Sequence, residues 1–451
     1  MYKLSNGFIK IFIISCICIL PVKVFTQNTT DTLLPKISLP QCIAYALENQ
    51  PLINQSKLDE EINKRDIKIA LSGWYPSLNI DANFQHYFKL PTAFVSNVND
   101  QSGPKLALPS GLFNTSNMEF SANQTLFSTE LLFASRTSGE LRKLASQNTQ
   151  STRIDIISEV TKSFYDVILS EKQIDILDED VQRLQQNYKD TYSYYKNGIT
   201  DKTDYQRTSI ALNNAIVQKK TAEESVKTKY ELLKQLMGYP VNKSFTVEYD
   251  TAVYEKEILL DTSQNLNYDK RIEFQIIQTD LKIQNERVGY FRWSFLPFAS
   301  AFYDYNLEYA NDKLPDLYKI NYPNSLIGLK LSFPLFQGAN RWQNLNKARL
   351  QYKRIVSEQD YLKSKISKEY VQALSSYKSN LNELNISKTN IQDAREIYNT
   401  IKLQYDKGIK AYLEVIVAET DLRTSELNYI DVLFRVLSSK IDVEKALGNI
   451  K

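Results

Sequence analysis

Two kinds of periodicity alternate along the chain. Residues 130–197 contain no proline, and their apolar positions step by three and four through Ile154, Ile157, Thr161, Phe164 and Ile168. After one irregular step the rhythm resumes at Ile174, Leu177, Val181, Leu184, Tyr188, Thr191 and Tyr195. The same spacing returns at Tyr377, Leu381 and Leu384, and then at Ile391, Ala394, Tyr398, Ile401 and Tyr405. A period near 3.5 residues predicts supercoiled helix packing rather than helices wrapped on a globular core. From Thr129 to Asn197 such a rod is on the order of 100 Å long at ~1.5 Å per residue.

Before each rod the period drops to two. Leu78, Ile80, Ala82, Phe84 and Phe88 alternate with Asn79, Asp81, Asn83 and Gln85, and Met118, Phe120 and Ala122 with Asn117, Glu119, Ser121 and Asn123. Later, Ala299, Ala301, Tyr303, Tyr305, Leu307 and Tyr309 oppose Ser300, Asp304, Asn306 and Glu308. Ile327, Leu329, Leu331 and Phe333 oppose Gly328, Lys330 and Ser332. Four such segments of roughly ten residues, with aromatics near their ends, fit transmembrane β-strands. Trp74, Tyr75 and Trp293 are candidate anchors at one membrane interface. A soluble sheet with one buried face shows the same alternation, and only the rods and the N-terminus favour the membrane.

The pattern occurs twice. Tyr195-Lys196-Asn197-Gly198-Ile199 returns as Tyr405-Asp406-Lys407-Gly408-Ile409, and Leu236-Met237-Gly238 as Ala446-Leu447-Gly448, both displaced by 210. Leu126-Phe127 matches Leu335-Phe336, and Trp74-Tyr75-Pro76 matches Phe295-Leu296-Pro297. The chain is a tandem duplication, an internal repeat of about 200 residues. The expected layout is a signal peptide over 1–26, a first repeat over 27–238, a joining segment over 239–268 and a second repeat over 269–451. Each rod closes at a glycine, which tolerates a left-handed C-terminus. Thr200, Asp201 or Thr203 then caps the returning helix.

Composition narrows the function. Among 451 residues there are 12 glycines and one histidine, His86, and no phosphate-loop, dinucleotide or nucleophile-elbow motif occurs. The cysteines are Cys16, Cys18 and Cys42, without metal-ligand spacing. No cofactor, metal or enzymatic chemistry is expected. Net charge is +3, and Lys3, Lys10 and Lys23 lie within the first 26 residues, which leaves zero once that segment is removed. A neutral chain without a basic block is not a nucleic-acid binder. The first residues read as an export signal, with Lys3 and Lys10 ahead of the apolar run from Ile11 to Leu20 and cleavage before Gln27. Lipoprotein processing at Cys16 is the alternative.

One chain offers four strands, and an open edge in lipid leaves backbone groups unpaired at several kcal/mol each. Small bacterial barrels close with about eight strands, so copies of the chain must complete the wall. The duplicated Leu-Phe starts of the rods, Pro76 and Pro297, and the two Tyr-x-x-Gly-Ile turns together resemble the TolC family of outer-membrane efflux and secretion channels. Leu39-Pro40-Gln41-Cys42-Ile43-Ala44-Tyr45-Ala46-Leu47-Glu48-Asn49-Gln50-Pro51 resembles the family's opening helix, without the usual acid after the leucine and with Pro40 added.

The resemblance implies a mainly α-helical homotrimer whose duplicated coiled coils form an α-barrel, continuous with a shared twelve-stranded β-barrel. It places the chain in a Gram-negative outer membrane with a periplasmic tunnel, contacting outer-membrane lipid. Its partners would be a periplasmic adaptor and an inner-membrane pump. By motif position Gly198, Ile199, Gly408 and Ile409 would dock the adaptor. Glu414, Lys410 and Asp204 would form the periplasmic gate, with Val417 where a second acid is common. Residues 239–268 correspond to the mid-tunnel equatorial segment. Type I protein secretion is the related alternative, and a soluble exported coiled-coil scaffold the alternative from another class.

Overall fold

The structure is a computed structural model that describes residues 36–95, 105–248 and 258–450. The expected signal peptide, with Cys16 and Cys18, lies outside the described residues, as does part of the expected joining segment. Seven α-helices occur among the described residues: α1 (Leu39–Asn49), α2 (Pro51–Ser72), α3 (Thr129–Lys196), α4 (Lys202–Met237), α5 (Ile272–Trp293), α6 (Asn340–Asp406) and α7 (Tyr412–Leu447). The two rods, α3 and α6, have 68 and 67 residues. Each folds back on its successor, giving hairpins α3–α4 and α6–α7.

Local chemistry explains the boundaries. Ser38 and Gln41 form a capping box at α1, and Pro40 falls in the first turn, where its missing N–H removes no helical bond. The opening helix is interrupted at Gln50, whose extended backbone precedes Pro51. Gln50 then caps α2 by accepting the Leu52 N–H at 3.2 Å.

The main core sits midway along the rods. Val160, Phe164, Tyr165, Val167 and Ile168 of α3 meet Leu433, Val436 and Leu437 of α7, Tyr377 and Leu384 of α6, and Cys42, Ala46 and Ile53 of the opening helices. Here α3 is buried on several faces because more than two helices surround it, which a two-helix heptad does not anticipate. Burial pushes the Cys42 thiol up to about 12 and keeps it inert. The joining segment straps this level. Lys36–Ile37 (β1) pairs in parallel with Thr246–Val247 (β6), and the Tyr377 hydroxyl donates to the Ile258 carbonyl at 2.7 Å.

The period-two segments form one antiparallel sheet: β2 (Ser77–His86), β5 (Asn114–Phe127), β7 (Phe298–Asn311) and β8 (Asn324–Ser332), side by side in that order. Its register confirms the parity. Ile80, Phe120 and Tyr305 share one row, as do Ala122, Tyr303 and Ile327. The opposite face carries Asp81 directly across from Glu119, with Asp304, Glu308 and Lys330. A short hairpin, β3 (Thr92–Val95) with β4 (Leu106–Pro109), continues the β2–β5 ribbon beyond the far end.

Candidate functional site: the helical tips and the sheet wall

The two tips have one geometry. Gly198 takes φ +70° and Gly408 +72°. In each, the glycine N–H returns to the carbonyl three residues back (Tyr195 at 3.0 Å, Tyr405 at 2.8 Å), and the following isoleucine N–H returns five back (Tyr194, Gln404, both 2.9 Å). This paired closure satisfies carbonyls that a helix end otherwise leaves open. It also turns Ile199 and Ile409 outward, 67% and 70% exposed, at the ends of the rods.

The returning helices start differently. Of the three expected caps Asp201 serves, its carboxylate accepting the Lys202 N–H at 2.8 Å. The equivalent Ala411 offers no side-chain cap.

Lys410 finds its acid in its own turn, not across the tip: its Nζ lies 2.7 Å from Glu414 Oε2, and both side chains are exposed. Leu413 and Val417 flank Glu414 with exposed apolar surface. Asp204, in the first turn of α4, belongs to the other hairpin and faces Tyr405. Burial first, then the Asp204 charge, pushes the Tyr405 hydroxyl up to about 12. Tyr412 is fully buried under Tyr405, ring centroids 5.2 Å apart, and burial raises its hydroxyl further. The tip thus brings Asp204, Tyr405 and Tyr412 together, whereas Lys410 and Glu414 form a separate exposed pair.

At the other end of the rods, the sheet's apolar side stands bare among the described residues, with Leu78 77% and Ile327 82% exposed. No soluble sheet leaves so large an apolar face uncovered, which argues against the scaffold reading. Of the anchor candidates only Tyr75 points outward. The Trp74 indole N–H donates to Ser135 Oγ at 3.0 Å, and the Arg136 guanidinium lies 4.3 Å from the Trp293 ring, so both tryptophans are half-buried against the helices. Trp342, Leu335 and Phe336, beside the α6 N-terminus, are exposed at this end. The sequence reading missed Trp342, although its closeness to the Leu-Phe pair was a usable signal. His86 ends β2 at the far rim, its Nδ1 2.7 Å from Asn114 Oδ1.

The sequence profile of the outer membrane efflux protein family matches residues 42–239 and 294–449. The chain belongs to this family. The two matched segments together span most of the chain. Among solved structures the fold is similar to CusC, with 16% identity, a TM-score of 0.74 and 91% of each chain covered. It is also similar to VceC of Vibrio cholerae (15% identity, TM-score 0.71, 91% of this chain and 96% of that one). A third is the outer membrane channel MtrE of Neisseria gonorrhoeae (16% identity, TM-score 0.72, 92% and 89%). No curated protein matches the chain. As a member of the outer membrane efflux protein family, the protein is an efflux channel of the Gram-negative outer membrane with a periplasmic helical tunnel.

Among the described residues no helix is long and apolar enough to cross a membrane.

Proposed function

We propose that three copies of the chain form one conduit, which receives substrate from a periplasmic adaptor and an inner-membrane pump and passes it outward without chemistry of its own. The observation that carries this reading is the sheet, whose β2 and β8 edges are unpaired in one chain. With β2 antiparallel to β5 and β8 antiparallel to β7, the edge of one copy meets that of the next in antiparallel sense. Three copies then give twelve strands and no free edge. The carboxylate-bearing face lines the lumen and the apolar face meets lipid.

The exposed isoleucines at the tips supply the adaptor's docking surface. The tip helices close the tunnel, with Asp204 and the Lys410–Glu414 pair at the constriction and Leu413 and Val417 making it partly apolar. Adaptor docking shifts the tips toward the open arrangement, a change between two packed states.

Crosslinking tests the docking. Cysteines at Ile199 and Ile409 should trap the adaptor, whereas mid-rod positions should not; trapping at mid-rod alone removes the tips from the interface. Single-channel conductance of reconstituted Glu414→Ala tests the gate, because unchanged conductance and an unchanged response to divalent cations exclude Glu414.

A further inference from the structure

Above the tips, the two hairpins of one chain are joined by a buried cluster of charges. Asp180, Arg183 and Asn187 come from α3, and Glu419 and Arg423 from α7. Asp180 is 0% and Glu419 2% exposed. Asp180 takes one hydrogen bond from each arginine, from Arg183 Nη2 at 3.2 Å and from Arg423 Nη1 at 3.1 Å. Glu419 is less well served. Its Oε2 accepts the neutral amide of Asn187 at 3.2 Å, while Oε1 lies 3.6 Å from Arg183 Nε and has no hydrogen bond.

The two acids share the same arginines inside a helix interface, and only one is fully compensated. A buried carboxylate with an unfilled oxygen and another carboxylate nearby holds a proton more readily than it does in water.

This cluster is not part of the duplicated plan. At the positions displaced by 210, Asn390 and Asp393 replace Asp180 and Arg183, and Ser209 and Asn213 replace Glu419 and Arg423. It therefore occurs once per chain, where the first hairpin meets the second.

We propose that Asp180, Arg183, Glu419 and Arg423 form a proton-operated latch that holds the two hairpins of one chain together above the tip, with Glu419 as its titrating member. The inference rests on the reading of the tips as the closing end of the conduit. It adds a fastening above the tip, apart from the Lys410–Glu414 pair and from Asp204, whose charge acts on Tyr405.

The groups facing Glu419 fix the sign. From α3 these are Asp180 and Arg183, from α6 the Tyr398 hydroxyl, from α7 itself Arg423 and Tyr412, and Arg207 of α4 lines the same groove. Burial first and Asp180 second outweigh the arginines and Asn187, and raise the Glu419 carboxyl from 4.5 to about 7. Burial, with the Glu419 charge second, raises the Tyr398 hydroxyl, and burial likewise raises that of Tyr412, so both stay protonated.

A raised carboxyl means that the latched state binds more protons than the released one. The latch is strongest where both states are protonated and weakens as pH rises from 4.5 through about 7. Within that window the latched-to-released ratio changes by at most about tenfold per pH unit.

The test uses the full reconstituted channel between pH 5 and 8. Wild-type conductance should rise with pH toward a plateau above about 7. Glu419→Gln, which keeps the Asn187 bond and cannot ionise, should hold the low acid-side conductance throughout. A wild-type channel without this rise, or a Glu419→Gln channel that retains it, overturns the latch.

Hydrogen exchange on the detergent-solubilised full chain gives an independent reading. Segments 180–187 and 415–423 should exchange faster in wild type than in Glu419→Gln at pH 8, and equally at pH 5. Equal exchange at pH 8 overturns the latch. A chain that forms no channel at any pH refutes the conduit reading instead, and the exchange result still decides the latch.

Discussion

Four of the described helices end on a left-handed glycine, but the surroundings of those glycines differ, which separates two costs of substitution. Gly198 has φ +70° with nothing near its missing Cβ, whereas Gly238 has φ +69° and a Cβ would sit 2.6 Å from the Asn49 carbonyl oxygen. Gly448 repeats the second case against the Lys270 carbonyl oxygen at 2.7 Å. At Gly238 the contact belongs to a lock, because the Gln50 amide donates to the Gln235 and Leu236 carbonyls at 3.1 and 3.0 Å. Arg271, in the matching place of the second repeat, donates to the Ala446 carbonyl at 3.2 Å.

Gly198→Ala should therefore cost only the left-handed backbone term, roughly 1–2 kcal/mol. Gly238→Ala adds overpacking of about 1–3 kcal/mol against a backbone atom that cannot step aside. Two strained hydrogen bonds add about 1 kcal/mol each. Denaturant unfolding followed by far-UV circular dichroism in detergent should rank Gly238→Ala and Gly448→Ala well below Gly198→Ala. Equal losses for all three would show that the two locks contribute nothing beyond backbone strain.

Other consequences follow from single contacts. Ala411→Asp supplies the cap that Asp201 provides in the first repeat, and should stabilise the second tip by about 1 kcal/mol, read as slower hydrogen exchange over the first turns of α7. Asp81→Asn relieves the like-charge pair with Glu119 and removes charge from the lumen face, so the cation-to-anion permeability ratio, taken from reversal potentials, should fall. Gly328→Ala places a Cβ 2.5 Å from the Phe302 ring on that same face; the ring must swing into the bore, and conductance should drop.

Much of this architecture was legible because duplication and periodicity are properties of the sequence itself. The rods, the four strands and the shared sheet face of Asp81, Glu119, Asp304, Glu308 and Lys330 needed only spacing. The features that escaped depend on contacts distant in sequence or too short for a pattern. The bridge of Lys36–Ile37 to Thr246–Val247 is two residues long, and the outer hairpin does not show a clean alternation. Asp180 sits between core positions of the α3 rhythm, where a charge normally means solvent. Only Arg423, 243 residues away, reveals that it is buried. Spacing alone cannot distinguish for Lys410 an acid four residues on from one in the facing hairpin, and the structure pairs it with Glu414.

The mass of the detergent-extracted particle, by light scattering with detergent subtracted, tests the central claim most directly. The proposed twelve-strand closure through the unpaired β2 and β8 edges predicts a particle of three chains, with its β-sheet signal intact. A single chain that stays monodisperse in water without detergent and keeps that signal would contradict the account.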